Sequence, residues 1–190
     1  QPANRLNQCT SFEFTDNSMQ TNSGERKIEY EIISVKGDND LKVVRHLFEE
    51  YAASLDFDLD FQDFKDELNG LPGEYAPPDG FILLALVDGQ ATGCVALRKF
   101  SDGISEMKRL YVKPEYRKLR IGSRLAEAVI ACARSRGYAY MRLDTVPAMK
   151  PARALYAALG FKEIPPYRFN PIDGATYMER ALKQPQVKGK

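Results

Sequence analysis

One stretch, residues 106–125 with the sequence EMKRLYVKPEYRKLRIGSRL, constrains the chain more than any other. Its apolar and β-branched residues predict a strand that runs to Val112 and is ended by Pro114. Ile121, Leu125, Ala128, Val129 and Cys132 then recur at helical spacing until Gly137 stops the pattern. Between strand and helix lie Lys113, Arg117, Lys118 and Arg120. A helix opening carries unsatisfied backbone N–H groups and the positive end of the helix dipole, so it attracts an anion. Gly122 lets a phosphate approach the backbone closely. A pyrophosphate suits this set of donors and cations best. The alternative is a solvated basic loop before an ordinary helix.

On either side, strand and helix signals alternate. Residues 28–35 read as a strand. Residues 38–55 place Leu41, Val44, Leu47, Phe48, Tyr51 and Ala52 at helical spacing, with Asp38 or Asp40 able to cap the start. Residues 55–64 alternate apolar residues with Asp56, Asp58 and Asp60 and read as a loop entering a short helix near 62–68. Pro72, Gly73, Pro77, Pro78 and Gly80 predict a further loop. Asp88-Gly89 is a strong hairpin turn between 81–87 and 91–100, and Asp102-Gly103 turns the chain again into the strand that ends at Val112. Beyond the helix at 121–136 come a strand at 138–144 and a helix at 148–159, with Pro151 in its first turn. Strands at 161–164 and 175–180 close the chain. The order β-α-α-β-β-β-α-β-α-β-β predicts an α/β fold, a mixed sheet flanked by helices. It forms one domain, 26–183, between a polar, mobile tail at 1–25 and a short tail at 184–190.

Charge and cysteine usage narrow the classes. Net charge is +1, yet residues 1–105 carry nine Lys and Arg against 19 Asp and Glu, while residues 106–190 carry 18 against seven. A basic half suits a phosphorylated ligand or a nucleic acid. Its cations concentrate in one helix-capping loop without interleaved aromatics, which favours the phosphorylated ligand. No apolar run reaches the roughly 18 residues of a membrane span, and the first 25 residues lack signal-peptide order, so the cytoplasm is expected. Cys9, Cys94 and Cys132 form an odd, sparse set that argues against a disulfide framework, and nothing has metal-ligand spacing. Cys94 and Cys132 fall at predicted core positions. His46, the only histidine, sits in a predicted helix, so a histidine triad is hard to assemble.

The loop resembles the coenzyme A signature of the GNAT superfamily of N-acetyltransferases, Arg/Gln-x-x-Gly-x-Gly/Ala. Arg117 matches the first position and Gly122 the last. Arg120 replaces the middle glycine, at a cost if that residue needs positive φ. The phrases MKRLYV and ALYAALGF and the element order extend the resemblance from about residue 28 to 180. It implies a GNAT-like acyl-CoA N-acyltransferase fold. The implied reaction is direct transfer of an acetyl group from acetyl-CoA to a primary amine of a small molecule, without a metal. Neither nucleic acid nor membrane is expected as a partner, and a homodimer is frequent in the family.

The resemblance also assigns residues. The strand ending at Val112 would carry a bulge and part from its neighbour, its backbone at Leu110, Tyr111 and Val112 pairing with the pantetheine arm. The backbone through Arg117, Lys118, Leu119, Arg120, Ile121, Gly122 and Ser123 would hold the pyrophosphate, with Arg124 in reach one turn on. Tyr156 would protonate the leaving thiolate; the family's asparagine contact is replaced here by Met149. Glu106 is the candidate base, placed by alternation on one face with Lys108, Leu110 and Val112. Its alternative is to pair with Lys108 or a nearby arginine, and water can serve instead. On the acceptor side stand Phe57, within an acidic rim, and Tyr167, Arg168 and Asn170, which suit an amino compound bearing both charges. The other readings are a non-catalytic CoA-binding module and a nucleic-acid-binding domain.

Overall fold

The computed structural model describes residues 11–16, 28–59 and 63–182. The chain enters through strands Ser11–Asp16 (β1) and Ile28–Ser34 (β2), then helices Asp38–Ala53 (α1) and Phe64–Asn69 (α2). Three strands follow: Phe81–Val87 (β3), Gln90–Ser101 (β4) and Ile104–Val112 (β5). A 3-10 turn at Pro114–Leu119 leads into helix Ile121–Ser135 (α3) and strand Tyr140–Thr145 (β6). Helix Lys150–Ala158 (α4) and strands Lys162–Ile164 (β7) and Thr176–Ala181 (β8) complete the described residues.

Eight strands form one sheet in the order β1-β2-β3-β4-β5-β6-β8-β7. All neighbours are antiparallel except β5 and β6. The predicted element order therefore holds from β2 onward. It gains β1, which pairs with β2 from Ser11↔Ile33 to Asp16↔Ile28. The expected tail at 1–25 thus contains an edge strand. Phe12 and Phe14 alternate with polar residues at strand period, a pattern hidden by the polar composition around it. The tail expected at 184–190 lies outside the described residues.

Asp88 and Gly89 take φ of 50° and 73°, the two left-handed residues of a type I′ hairpin. α3 packs on β3, β4 and β5 and buries Ile121, Leu125, Ala128, Val129 and Cys132, the face predicted from spacing. On the other face α1 lies over β4 and β5, with Val44, Leu47 and Phe48 buried among Phe64, Leu68 and Tyr75. The start of α1 differs from expectation. Gly37 is its N-cap without a side-chain cap, and Asp40 instead accepts the Lys36 N–H at 3.0 Å. Cys94 is free and fully buried, and burial pushes its thiol up. Cys132 is buried on the face of α3 that packs on the sheet. Neither is placed as a nucleophile. His46 is an exposed helix residue, 3.1 Å from Glu50.

The β4–β5 pair is close enough to forbid a side chain at Gly93. A Cβ there would lie 2.6 Å from the Tyr111 carbonyl oxygen. Gly93→Ala is expected to cost about 2 kcal/mol, lowering Tm by about 4–8 °C for a chain of this size; thermal unfolding followed by circular dichroism measures it.

Candidate active site

The site begins at a bulge. Cys94 pairs with Tyr111 and Ala96 with Lys108, so Arg109 and Leu110 together oppose Val95. Arg109 takes φ +56°. One extra residue reverses the alternation beyond it. Glu106, Lys108 and Tyr111 consequently face α1 and α2, while Met107, Leu110 and Val112 pack toward α3 and α4. The expected common face for Glu106, Lys108, Leu110 and Val112 is thereby corrected: the bulge separates the first two from the last two.

β5 and β6 pair only through Ile104↔Tyr140, Ser105↔Met141 and Glu106↔Arg142. Beyond that rung they part, and a cleft opens between residues 107–110 of β5 and residues 143–146 at the end of β6. Tyr51, Phe57 and Leu59 close it from the α1 side, Met149 and Tyr156 from α4 and the loop before it, and Asn170 from the loop after β7. The β6-facing edge of β5 at Leu110, Tyr111 and Val112 has no β6 partner, the geometry that strand-like pairing with an extended ligand needs.

α3 opens close to the end of β5. Arg120 is its N-cap at φ +58°, with no side-chain cap. The position occupied by glycine in the resembling motif thus does take the left-handed region, at a cost for arginine of about 1–2 kcal/mol. The first intrahelical bond is from the Arg124 N–H to the Arg120 carbonyl at 3.2 Å, so the N–H groups of Ile121, Gly122 and Ser123 precede it. A Cβ at Gly122 would meet only Val112, at 3.6 Å; packing does not demand the glycine, whereas close approach of a ligand would. Arg117, Lys118 and Arg120 are exposed. Arg117 also donates through Nε to the Val112 carbonyl at 3.1 Å, tying the loop to the strand end. Arg124 is held by Glu127 at 2.9 Å. Leu119 and Ile121 are core side chains, 3% and 0% exposed, which leaves only their backbone to a ligand.

Tyr156 lines the cleft, with Phe161 edge-on at 5.9 Å between ring centroids. Burial, with Tyr51 and Asp144 nearby, pushes its hydroxyl up, so it holds a proton to give. Glu106 is placed differently from a base. It is 0% exposed and lies outside the cleft lining. Arg98 donates to its Oε2 at 2.8 Å, Tyr167 to its Oε1 at 2.9 Å, and Arg168 stands 3.3 Å away. Of its two readings, the geometry favours pairing with arginine.

The acceptor-side residues divide. Phe57 and Asn170 line the cleft; Tyr167 and Arg168 do not. Arg168 bridges Glu106 and Asp144 and so is engaged where a substrate carboxylate was expected to meet it. Asp56, Asp58 and Asp63 are exposed, while Asp60 lies outside the described residues. Three charged cleft residues were missed: Lys108, Arg109 and Asp144. The sequence signal was two consecutive cations in a strand predicted to run through the sheet centre. Asp144 accepts from Arg168 and from Asn170 at 3.0 Å. Burial would raise its carboxyl, but Lys108 and Arg168 hold it below the ordinary value. Among the described residues no group of three or more His, Cys, Asp or Glu side chains is placed to hold a metal, and no helix is long and apolar enough to cross a membrane.

A buried clamp holds the bulge. Arg109 donates to Glu67 of α2 through Nε at 2.9 Å and through a second nitrogen, and its guanidinium lies 5.1 Å from the Phe64 ring centroid. Tyr75 donates to the same carboxylate at 2.8 Å. Burial opposes ionisation of Glu67, yet Arg109 and Tyr75 hold its pKa below the ordinary value. A carboxylate so lowered contributes stability above its unfolded pKa and loses it as pH falls through the folded one. Glu67→Gln is expected to cost about 3 kcal/mol near neutral pH by leaving a buried guanidinium without its charge partner. Urea denaturation at pH 7 and pH 3 would find this difference shrinking in acid.

The chain matches the acetyltransferase (GNAT) family over residues 41–161. It is 42% identical over 155 residues to an uncharacterised N-acetyltransferase of Schizosaccharomyces pombe, covering 80% of this chain and 95% of that one. A second, from Dictyostelium discoideum, is 31% identical over 74% of this chain and 94% of its own length. The structure of the PaiA N-acetyltransferase of Thermoplasma acidophilum in complex with coenzyme A superposes with a TM-score of 0.61 at 20% identity, over 79% of this chain and 98% of that one. The chain belongs to the GNAT acetyltransferase family and is an acyl-CoA-dependent N-acyltransferase.

Proposed function

We propose that the protein transfers an acetyl group from acetyl-CoA to the primary amine of a small molecule bound in the cleft between β5 and β6. The divergence of these strands beyond Glu106↔Arg142 carries the reading. It leaves the β5 edge at Leu110, Tyr111 and Val112 free to align a pantetheine arm, with the N–H groups of Ile121, Gly122 and Ser123 ahead for a pyrophosphate. Arg117, Lys118 and Arg120 add charge at that end. Coenzyme A in the Thermoplasma relative supports the same ligand here.

The cleft wall supports a small acceptor. Phe57 and Leu59 from the α1–α2 connection and Asn170 from the loop after β7 line the same cleft. Leu110, Leu143 and Val146 offer an apolar body, and Lys108, Asp144 and Asn170 offer polar contacts. With donor and amine held together, attack on the thioester needs no covalent enzyme intermediate. Tyr156 gives its proton to the departing thiolate.

Two measurements test this. Acetyl-CoA at about 100 times its Kd is expected to add roughly 2.7 kcal/mol of stability, raising Tm by about 5–10 °C, with no shift from an adenosine control. Tyr156→Phe is expected to lower kcat by about 10²-fold with the acetyl-CoA shift unchanged, read by thiol release over a panel of L-aspartate, L-phenylalanine, 2-phenylethylamine and spermidine. A chain that melts unaltered with acetyl-CoA does not carry this activity.

A further inference from the structure

We propose that Lys108 is the base that takes the proton from the acceptor amine. The inference rests on the acetyl-transfer reading above. With Glu106 walled off by Arg98, Tyr167 and Arg168, the side chains placed to meet the acceptor amine are those of the cleft wall. Among the described residues five titratable side chains line it: Tyr51, Lys108, Arg109, Asp144 and Tyr156. Arg109 is committed to Glu67 through two nitrogens. Both oxygens of Asp144 accept hydrogen bonds, from Arg168 and Asn170. Burial pushes the hydroxyls of Tyr51 and Tyr156 up, so both keep their protons. Lys108 remains.

Its placement suits the task. The bulge one residue later sets Lys108 on the face of β5 toward α1 and α2, the acceptor side. Its side chain is 6% exposed, and Nζ lies 3.9 Å from Asp144 Oδ1. The groups around it come from every packed element: Glu106 and Arg109 on β5, Asp144 on β6, Arg168 in the loop after β7, and Glu67 on α2. Tyr51 on α1 and Tyr156 on α4 share the cleft. Burial is the largest influence on Lys108. Asp144 and Glu106 oppose it, Arg109 and Arg168 reinforce it, and the ammonium is pushed down to about 8. A base with a pKa near the working pH is the efficient one, and desolvation of a lysine is a known route to it.

The protons balance. The acceptor enters as an ammonium and gives one proton to neutral Lys108, whose new charge faces Asp144. The free amine attacks the thioester carbonyl, the C–N bond forms and the C–S bond breaks. Tyr156 protonates the thiolate, and the second amine proton restores Tyr156. Lys108 releases its proton to solvent, so each turnover yields one amide, one thiol and one proton.

Lys108→Arg separates charge from basicity, since arginine stays protonated; Lys108→Met keeps the length without charge, should the larger side chain not fold. Either is expected to lower kcat/KM by about 10²–10⁴-fold for the fastest amine of the panel, with acetyl-CoA affinity within twofold. The wild-type pH profile should carry a limb near 8 that Lys108→Arg lacks, while any limb from the amine itself stays. An acceptor-independent arm uses the full chain labelled with [ε-13C]lysine. The signal absent from Lys108→Arg should titrate near 8. A midpoint above 10, or a variant within threefold of wild type with its limb intact, overturns the assignment. Loss of acetyl-CoA binding in the wild type would instead overturn the acetyl-transfer reading, and the labelled titration would still decide whether Lys108 is poised as a base.

Discussion

The single residue inserted in β5 at Arg109 governs the rest of the site. A strand with strict alternation would send Lys108 and Leu110 to the same side of the sheet. With two residues opposite Val95, the chain sends Lys108 toward α1 and α2 and keeps Leu110 and Val112 with the α3 core. The bulge puts Arg109 rather than a glycine in the left-handed region, and its guanidinium pairs with Glu67 and lies over the Phe64 and Tyr51 rings. Strain in the backbone and burial of an ion pair therefore support one another, and removing either would release the edge on which the cofactor is expected to lie.

A second set of largely buried charges stands behind the cleft wall. Glu106, Arg98, Arg168 and Asp144 link β4, β5, β6 and the loop after β7 in one connected series. Tyr167 adds a hydrogen bond to Glu106 and ring contacts with Phe100 and Tyr177 at 5.0 and 5.3 Å. The Tyr177 hydroxyl donates to the Arg168 carbonyl at 3.0 Å, fixing the loop backbone as well. Residues that looked like substrate contacts in the sequence, Tyr167 and Arg168, are thus engaged one step back, Tyr167 with Glu106 and Arg168 with Glu106 and Asp144.

Element order and the helix-capping loop were legible because each rests on local signals: Asp-Gly turns, helical spacing behind Arg120, and a proline after Val112. The left-handed requirement at position 120 was legible too, since motif and physics both put glycine there. Three things were not. β1 is a six-residue alternation inside a polar region, too short to dominate its surroundings. The parity change at Arg109 leaves no mark in a sequence, because a bulge is defined by the partner strand. The fate of Glu106 depended on Arg98, Tyr167 and Arg168, which converge on it from eight, 61 and 62 positions away; no spacing rule reaches that far.

The cleft has ends of different dielectric character. Arg117, Lys118 and Arg120 stand in water beside the opening of α3, whereas Arg109, Lys108 and Arg168 act from inside the protein. Dissolved ions reach the first group and screen it over roughly 8–10 Å at ordinary ionic strength, but are largely kept from the second. Rising salt would therefore weaken the attraction of an anion to the opening of α3 while changing the charges inside the cleft much less. At high ionic strength or low, the protein would differ in how readily it loads its donor, and little in what it does once loaded.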